Sequence, residues 1–187
     1  MKKVIRLLVL TTLLLFVIQT AAFAGVGPGG FANIPWGTGR VQAEQIMLQQ
    51  GFVFRSEYKD SNGFVSLYYN GRMLDVAGDL KIMLLNDSFC RGEFLLLTDD
   101  GGAAEEPAFW KFNTAIRAKY GSPDGFNRNA EGGMAQCYKL TAPDASDAVN
   151  INLYFTKMKP PTLSNCTVEY INRGLEQRLA LKTNNGL

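Results

Sequence analysis

The sequence predicts an α+β fold: two tandem helix-plus-antiparallel-meander repeats, built as two layers with helices on sheet. Three observations predict it. Two helical segments end at glycines, Gly51 and Gly121, which lie 70 residues apart. Each is followed by short β-rich runs separated by turn residues. Cys90 and Cys166, each near the start of a third run, are 76 residues apart, so the pattern returns at nearly one interval.

The chain opens on an export leader. Lys2, Lys3 and Arg6 precede an uncharged run from Leu7 to Ile18, and Ala22-Phe23-Ala24 offers the small residues that a signal peptidase reads. Cleavage is expected after Ala24. The competing reading keeps Val4 to Ala24 as a membrane anchor, since that stretch is long enough to span a bilayer. The Ala-x-Ala exit and the glycines that follow favour cleavage, which places the mature protein in the periplasm or outside the cell with no integral membrane segment. No cysteine stands near Gly25 to carry a lipid.

Residues 25–37 form a flexible lead-in followed by a segment that plugs one end of the core. Pro35 holds Ile34 extended, and Trp36 is too large to stay in water without cause. The first repeat is assigned to 38–98. Thr38 caps a helix whose apolar residues are Val41, Ala43, Ile46, Met47 and Leu48, and Gly51 stops it. An extended run starts at Phe52. Asp60-Ser61-Asn62-Gly63 turns the chain, Phe64 to Tyr69 is a strand, and Asn70-Gly71 is a hairpin signal. Leu80 to Leu85 and Phe89 to Leu97 complete a meander.

The second repeat is assigned to 99–187. Glu105 and Glu106 favour the start of a helix, where carboxylates meet the positive end of the dipole, and Pro107 fits its first turn. Phe109, Phe112, Ile116 and Tyr120 share one face. Met134 to Leu140, Val149 to Lys157 and Cys166 to Ile171 are strands, with Ile151, Leu153 and Phe155 alternating against polar neighbours. Leu175, Leu179 and Leu181 mark a short terminal helix ahead of a polar tail.

Composition narrows the chemistry. Three of the 19 basic residues lie in the leader, which leaves 16 against 17 acidic residues. A nearly neutral chain has no footprint for nucleic acid. It contains no histidine, so the commonest general base and metal ligand is missing, along with every Ser-His and Cys-His pair. Catalytic, cofactor-binding and metal sites are therefore all assigned as none. Asp99-Asp100…Glu105-Glu106 lacks the spacing of a calcium loop and reads as a turn followed by helix-start charges. Gly25-x-Gly27-x-Gly29-Gly30 lacks the strand, helix and Lys that a phosphate loop requires.

Cys90, Cys137 and Cys166 are an odd number in an oxidising compartment. One disulfide and one free thiol is the simplest reading, with the pair left open, and three small buried residues is the other. Tyr68 and Tyr69 are the candidate partner-binding residues. Adjacent strand residues face opposite ways, so one of the two turns away from the helices and could anchor a partner. A partly buried tyrosine at a sheet edge is the competing reading.

Phe31-x-x-Ile34-Pro35-Trp36-Gly37-Thr38 and Lys119-Tyr120-Gly121-Ser122-Pro123 resemble segments of small bacterial envelope proteins. They are similar to tandem-repeat relatives of the BamE-type (SmpA/OmlA) outer-membrane assembly lipoproteins and of the β-lactamase-inhibitor-protein fold. The resemblance implies a sheet surface presented to another protein, and it transfers no catalytic residue. The chain departs from the lipoproteins in lacking their lipid-bearing Cys, and from the inhibitors in its cysteine placement. The function expected is that of a non-enzymatic protein-binding or adaptor protein of the bacterial envelope, with another envelope protein as partner. The alternative is a small carboxylate-dependent hydrolase or a small-ligand carrier.

Overall fold

A computed structural model describes residues 27–98, 102–143, 147–158 and 162–185. The leader at 1–24 lies outside the described residues, as do Asp99 and Asp100 of the acidic cluster. The chain runs through β1 (Gly30–Phe31), β2 (Ile34–Pro35), α1 (Arg40–Gln49), β3 (Val53–Lys59), β4 (Phe64–Met73), β5 (Val76–Leu85) and β6 (Ser88–Thr98). It continues through α2 (Glu105–Tyr120), β7 (Gly125–Arg128), β8 (Met134–Thr141), β9 (Ala148–Thr156), β10 (Ser164–Asn172) and α3 (Arg173–Asn185).

The structure corrects the fold class. Among the described residues the fold is mostly β, one large antiparallel sheet with three short helices, and is not a two-layer α+β stack of helices on sheets. Eight strands merge into one antiparallel sheet in the order β3-β4-β5-β6-β10-β9-β8-β7, beside a small β1–β2 hairpin. The seam is the β6–β10 ladder, in which Val168 stands opposite Phe94 and Cys166 opposite Leu96. The helices do less than the sequence reading assigns them. α2 lies along the inner face and buries six residues, while α1 adds only Ala43 and Met47 to the same core. The terminal helix α3 crosses to the other face, where Leu179 packs on Leu85 and Cys90.

One core runs across the seam. Leu67, Ile82, Phe94, Val168, Leu153 and Tyr138 line successive strands of the inner face, and Phe109, Phe112 and Ile116 of α2 close over them. The Phe94 and Phe112 rings lie 5.2 Å apart. The lead-in is fixed from Gly27 onward. Its N–H donates to the Thr141 carbonyl. Trp36 donates from Nε1 to the Pro28 carbonyl at 2.7 Å and stacks on Phe89 at 5.2 Å. The Phe31 ring lies over Gly92, where a Cβ would overlap it, so the glycine lets the hairpin seat on the sheet.

Local signals misplace three details. The helix cap is not Thr38, whose hydroxyl donates to the Pro35 carbonyl. Gly39 is the N-cap, and Asp87 accepts the Arg40 N–H from across the β5–β6 turn. Asn70-Gly71 is not a turn, because β4 runs through it. Asn70 donates to Asp79 at 2.6 Å, and the chain reverses at Leu74-Asp75, with φ of 49° and 60°. The Gly/Asn-rich stretch after α2 contains β7, which the sequence reading leaves out.

Candidate functional site

Tyr68 and Tyr69 take opposite faces of β4. Tyr69 is 1% exposed in the core, edge-on to Phe54 at 5.6 Å. Its hydroxyl has no hydrogen-bond partner, and burial pushes the phenol up to about 12. It cannot touch a partner. Tyr68 is half-buried on the outer face, between Ser56 of β3 and Lys81 of β5. It lines a shallow groove of about 310 Å³ with Arg55, Ser56 and Asp79. A second groove of about 350 Å³ adjoins it, lined by Asp79, Ala77 and Leu95 among others.

A belt of polar pairs crosses this outer face. Arg55 meets Asp79 at 3.3 Å, Lys81 meets Glu93 at 2.5 Å, and Arg91 meets Glu169 at 3.7 Å and Glu176 at 3.0 Å. Asn152 donates to Glu169 at 2.9 Å. Each of these carboxylates is held by a cation, the opposite of the uncompensated acid that general-acid chemistry needs. α3 covers one end of the face. Beyond the belt, Tyr154 and Leu97 remain open to solvent.

All three cysteines are free thiols. Cys90 is the extra residue of the bulge in the β5–β6 ladder and lies under α3, with its Sγ 3.6 Å from the Met83 carbonyl. Cys166 faces the inner core opposite Leu96, six residues along β6 from Cys90, a separation of about 20 Å. Cys137 is on the outer face of β8, opposite Asn152. It is therefore on the wrong side for Cys166, and about three strand spacings, roughly 14 Å, from Cys90. No pair satisfies the reach of a disulfide. Burial pushes both Cys90 and Cys166 up to about 12, with Glu176 and Glu105 respectively adding to the effect.

Two further features were not legible in the sequence. Glu105 opens α2 at 0% exposure, and neither carboxylate oxygen has a hydrogen-bond partner. A cleft of about 420 Å³ lies between the β1–β2 hairpin, the β4–β5 turn and the last turns of α2. Phe31, Leu74, Ile116 and Tyr170 supply apolar walls, no carboxylate lines it, and Lys119 stands at its edge. Burial holds the Tyr170 phenol well above its ordinary range. These walls come from four distant segments, which local periodicity cannot bring together. Among the described residues, no group of three or more Cys, Asp or Glu could hold a metal ion. No described helix is long and apolar enough to cross a membrane.

Comparison with known protein families, with curated proteins and with solved structures finds no match for this chain.

Proposed function

We propose that this chain is an exported, non-enzymatic binding protein of the bacterial envelope, which docks another envelope protein on the outer face of its sheet around Tyr68. The observation that carries the reading is that face. α3 covers only one end, and the rest presents a tyrosine in one of two adjoining shallow grooves, rimmed by paired charges. Aromatic anchors within polar rims are the usual composition of protein-docking patches. The commitment of Asp79, Glu93, Glu169 and Glu176 to cations weighs against the hydrolase alternative.

Cross-linking in the native host, followed by capture of the tagged protein, tests the reading. One dominant envelope protein captured by the wild type and lost with Tyr68→Ala supports it. Equal capture by both removes the outer face from the account. N-terminal sequencing of the exported chain checks the leader, with Gly25 expected first. The carrier alternative rests on the acid-free cleft, whose size falls within the range of small-molecule sites. Mass spectrometry of the protein purified under native conditions decides it, by the presence or absence of a bound small molecule that Leu74→Trp displaces.

A further inference from the structure

We propose that the β3 edge pairs with β3 of a second copy, antiparallel about Tyr58, to make a symmetric dimer with one continuous sheet. β3 closes one end of the sheet, and all seven of its residues are exposed, Tyr58 at 61%. An edge of this length with its polar backbone bare is a template for strand addition.

The backbone decides which groups face outward. The Asp60 N–H donates to the Phe64 carbonyl at the mouth of the β3–β4 hairpin. Bonded and non-bonded pairs alternate along an antiparallel ladder, so Tyr58 is bonded to Ser66 and points its backbone at β4. Glu57 and Lys59 therefore direct their N–H and C=O groups to the free edge. Their side chains share one face, that of Leu67 and Val65 opposite them.

The side chains decide the register. In a two-fold antiparallel pair, opposed residues share a face, so the axis must pass through a residue. An axis at Glu57 sets Glu57 against Glu57, and an axis at Lys59 sets Lys59 against Lys59. An axis at Ser56 brings in Arg55, which is displaced by a bulge and already tied to Asp79. Only an axis at Tyr58 sets Glu57 against Lys59 of the second copy, twice by symmetry, with the two Tyr58 rings side by side on the other face. Opposite charges across a ladder favour the pairing, and like charges oppose it.

Local charge fits the same register. Arg40 serves two carboxylates, Glu44 at 2.7 Å and Glu57 through both guanidinium nitrogens at 3.0 and 2.7 Å. Lys59 of the same strand adds its positive field at Glu57 without reaching ion-pair distance. A carboxylate with two bonds taken still has acceptor sites for an ammonium group. Lys59 has no ion-pair partner among the described residues, and a second copy brings it to Glu57. The bulge at Arg55 ends the flush edge, so the contact spans Ser56 to Asp60. An interface of that length makes a weak dimer. The proposal stands apart from the docking reading, since it uses the strand edge and not the outer face.

Sedimentation of the full exported chain tests it. The expected result is a monomer–dimer equilibrium that shifts toward monomer as salt rises. Glu57→Lys and Lys59→Glu are each expected to be monomeric, because each sets like charges opposite one another. Mixed in equal amounts they are expected to recover the dimer, since the heterodimer restores both pairs. Lys59→Glu leaves the Arg40–Glu57 pair in place, and Lys59→Pro removes an outward N–H without touching the β4 ladder. Circular dichroism on both guards against unfolding. A wild-type chain that stays monomeric at about 1 mM, where weak contacts are populated, overturns the proposal. So does a dimer that survives Lys59→Glu, or a mixture that stays monomeric.

Discussion

At the scale of single residues, two buried polar groups without partners give the sharpest expectations. The Tyr69 hydroxyl is shut in the core unbonded. Tyr69→Phe removes only that oxygen, so it is expected to leave stability unchanged or raise it by about 1 kcal/mol, the scale of one unsatisfied group. Chemical denaturation measures this directly. Tyr69→Ala empties the ring's place and is expected to cost about 3–5 kcal/mol. Glu105 carries the same defect at both carboxyl oxygens. Glu105→Gln keeps its shape and is expected to raise the melting temperature at pH 7. A fall would mean that the carboxylate is satisfied in solution. The alternation of Tyr68 and Tyr69 was readable from strand parity. Which of them enters the core was not, because that depends on Leu80 and Phe54 arriving from neighbouring strands. The burial of Glu105 was equally hidden. A carboxylate at a helix start normally reaches water, and nothing in its local sequence says otherwise.

At the scale of elements, the β4–β5 hairpin turns on a strained residue. Leu74 and Asp75 both adopt positive φ, which side-chain-bearing residues other than Asn and Asp resist. The pair Leu74→Asn with Asp75→Gly supplies the residues that a two-residue hairpin of this hand prefers. It is expected to stabilise by about 1 kcal/mol in thermal unfolding, and a loss would mean that Leu74 packs more than it strains. Gly92→Ala is expected to do the opposite, because the new methyl would lift the Phe31 ring and unseat the β1–β2 hairpin. The most visible turn signal, Asn70-Gly71, sits inside β4 for the reason Gly92 sits inside β6. Gly71 is covered by the Phe52 ring, so the glycine answers to packing and not to chain reversal. The strands and α2 were legible because their apolar residues alternate or recur locally. β7 was not, since its four residues are all exposed and carry no such pattern.

At the scale of the whole molecule, the thiols and phenols buried against the sheet set how the protein answers to alkali. Folding lifts Cys90 and Cys166 from 9.0 to about 12 and Tyr69 from 10.0 to about 12, chiefly by burial. The folded state holds these protons more tightly than the unfolded chain does. Its stability is therefore complete below about pH 9 and declines as pH rises toward 12. The melting temperature is expected to be level up to pH 9 and to fall beyond it. In a Cys90→Ala/Cys166→Ala variant the decline is expected to begin nearer pH 10, where Tyr69 and Tyr170 take over. An unchanged onset would place the responsible groups elsewhere. The continuity of the sheet was beyond local reading, since β6 meets β10 only after α2 and three further strands have intervened. That order has a cost during synthesis. Until β10 arrives, β6 waits with Phe94, Leu95, Leu96 and Leu97 along an unsatisfied border. A chain cut anywhere after α2 and before Ser164 is left with a sticky, half-finished product fit for proteolysis. The first half of the sheet is thus finished only by a strand made near the end of the chain.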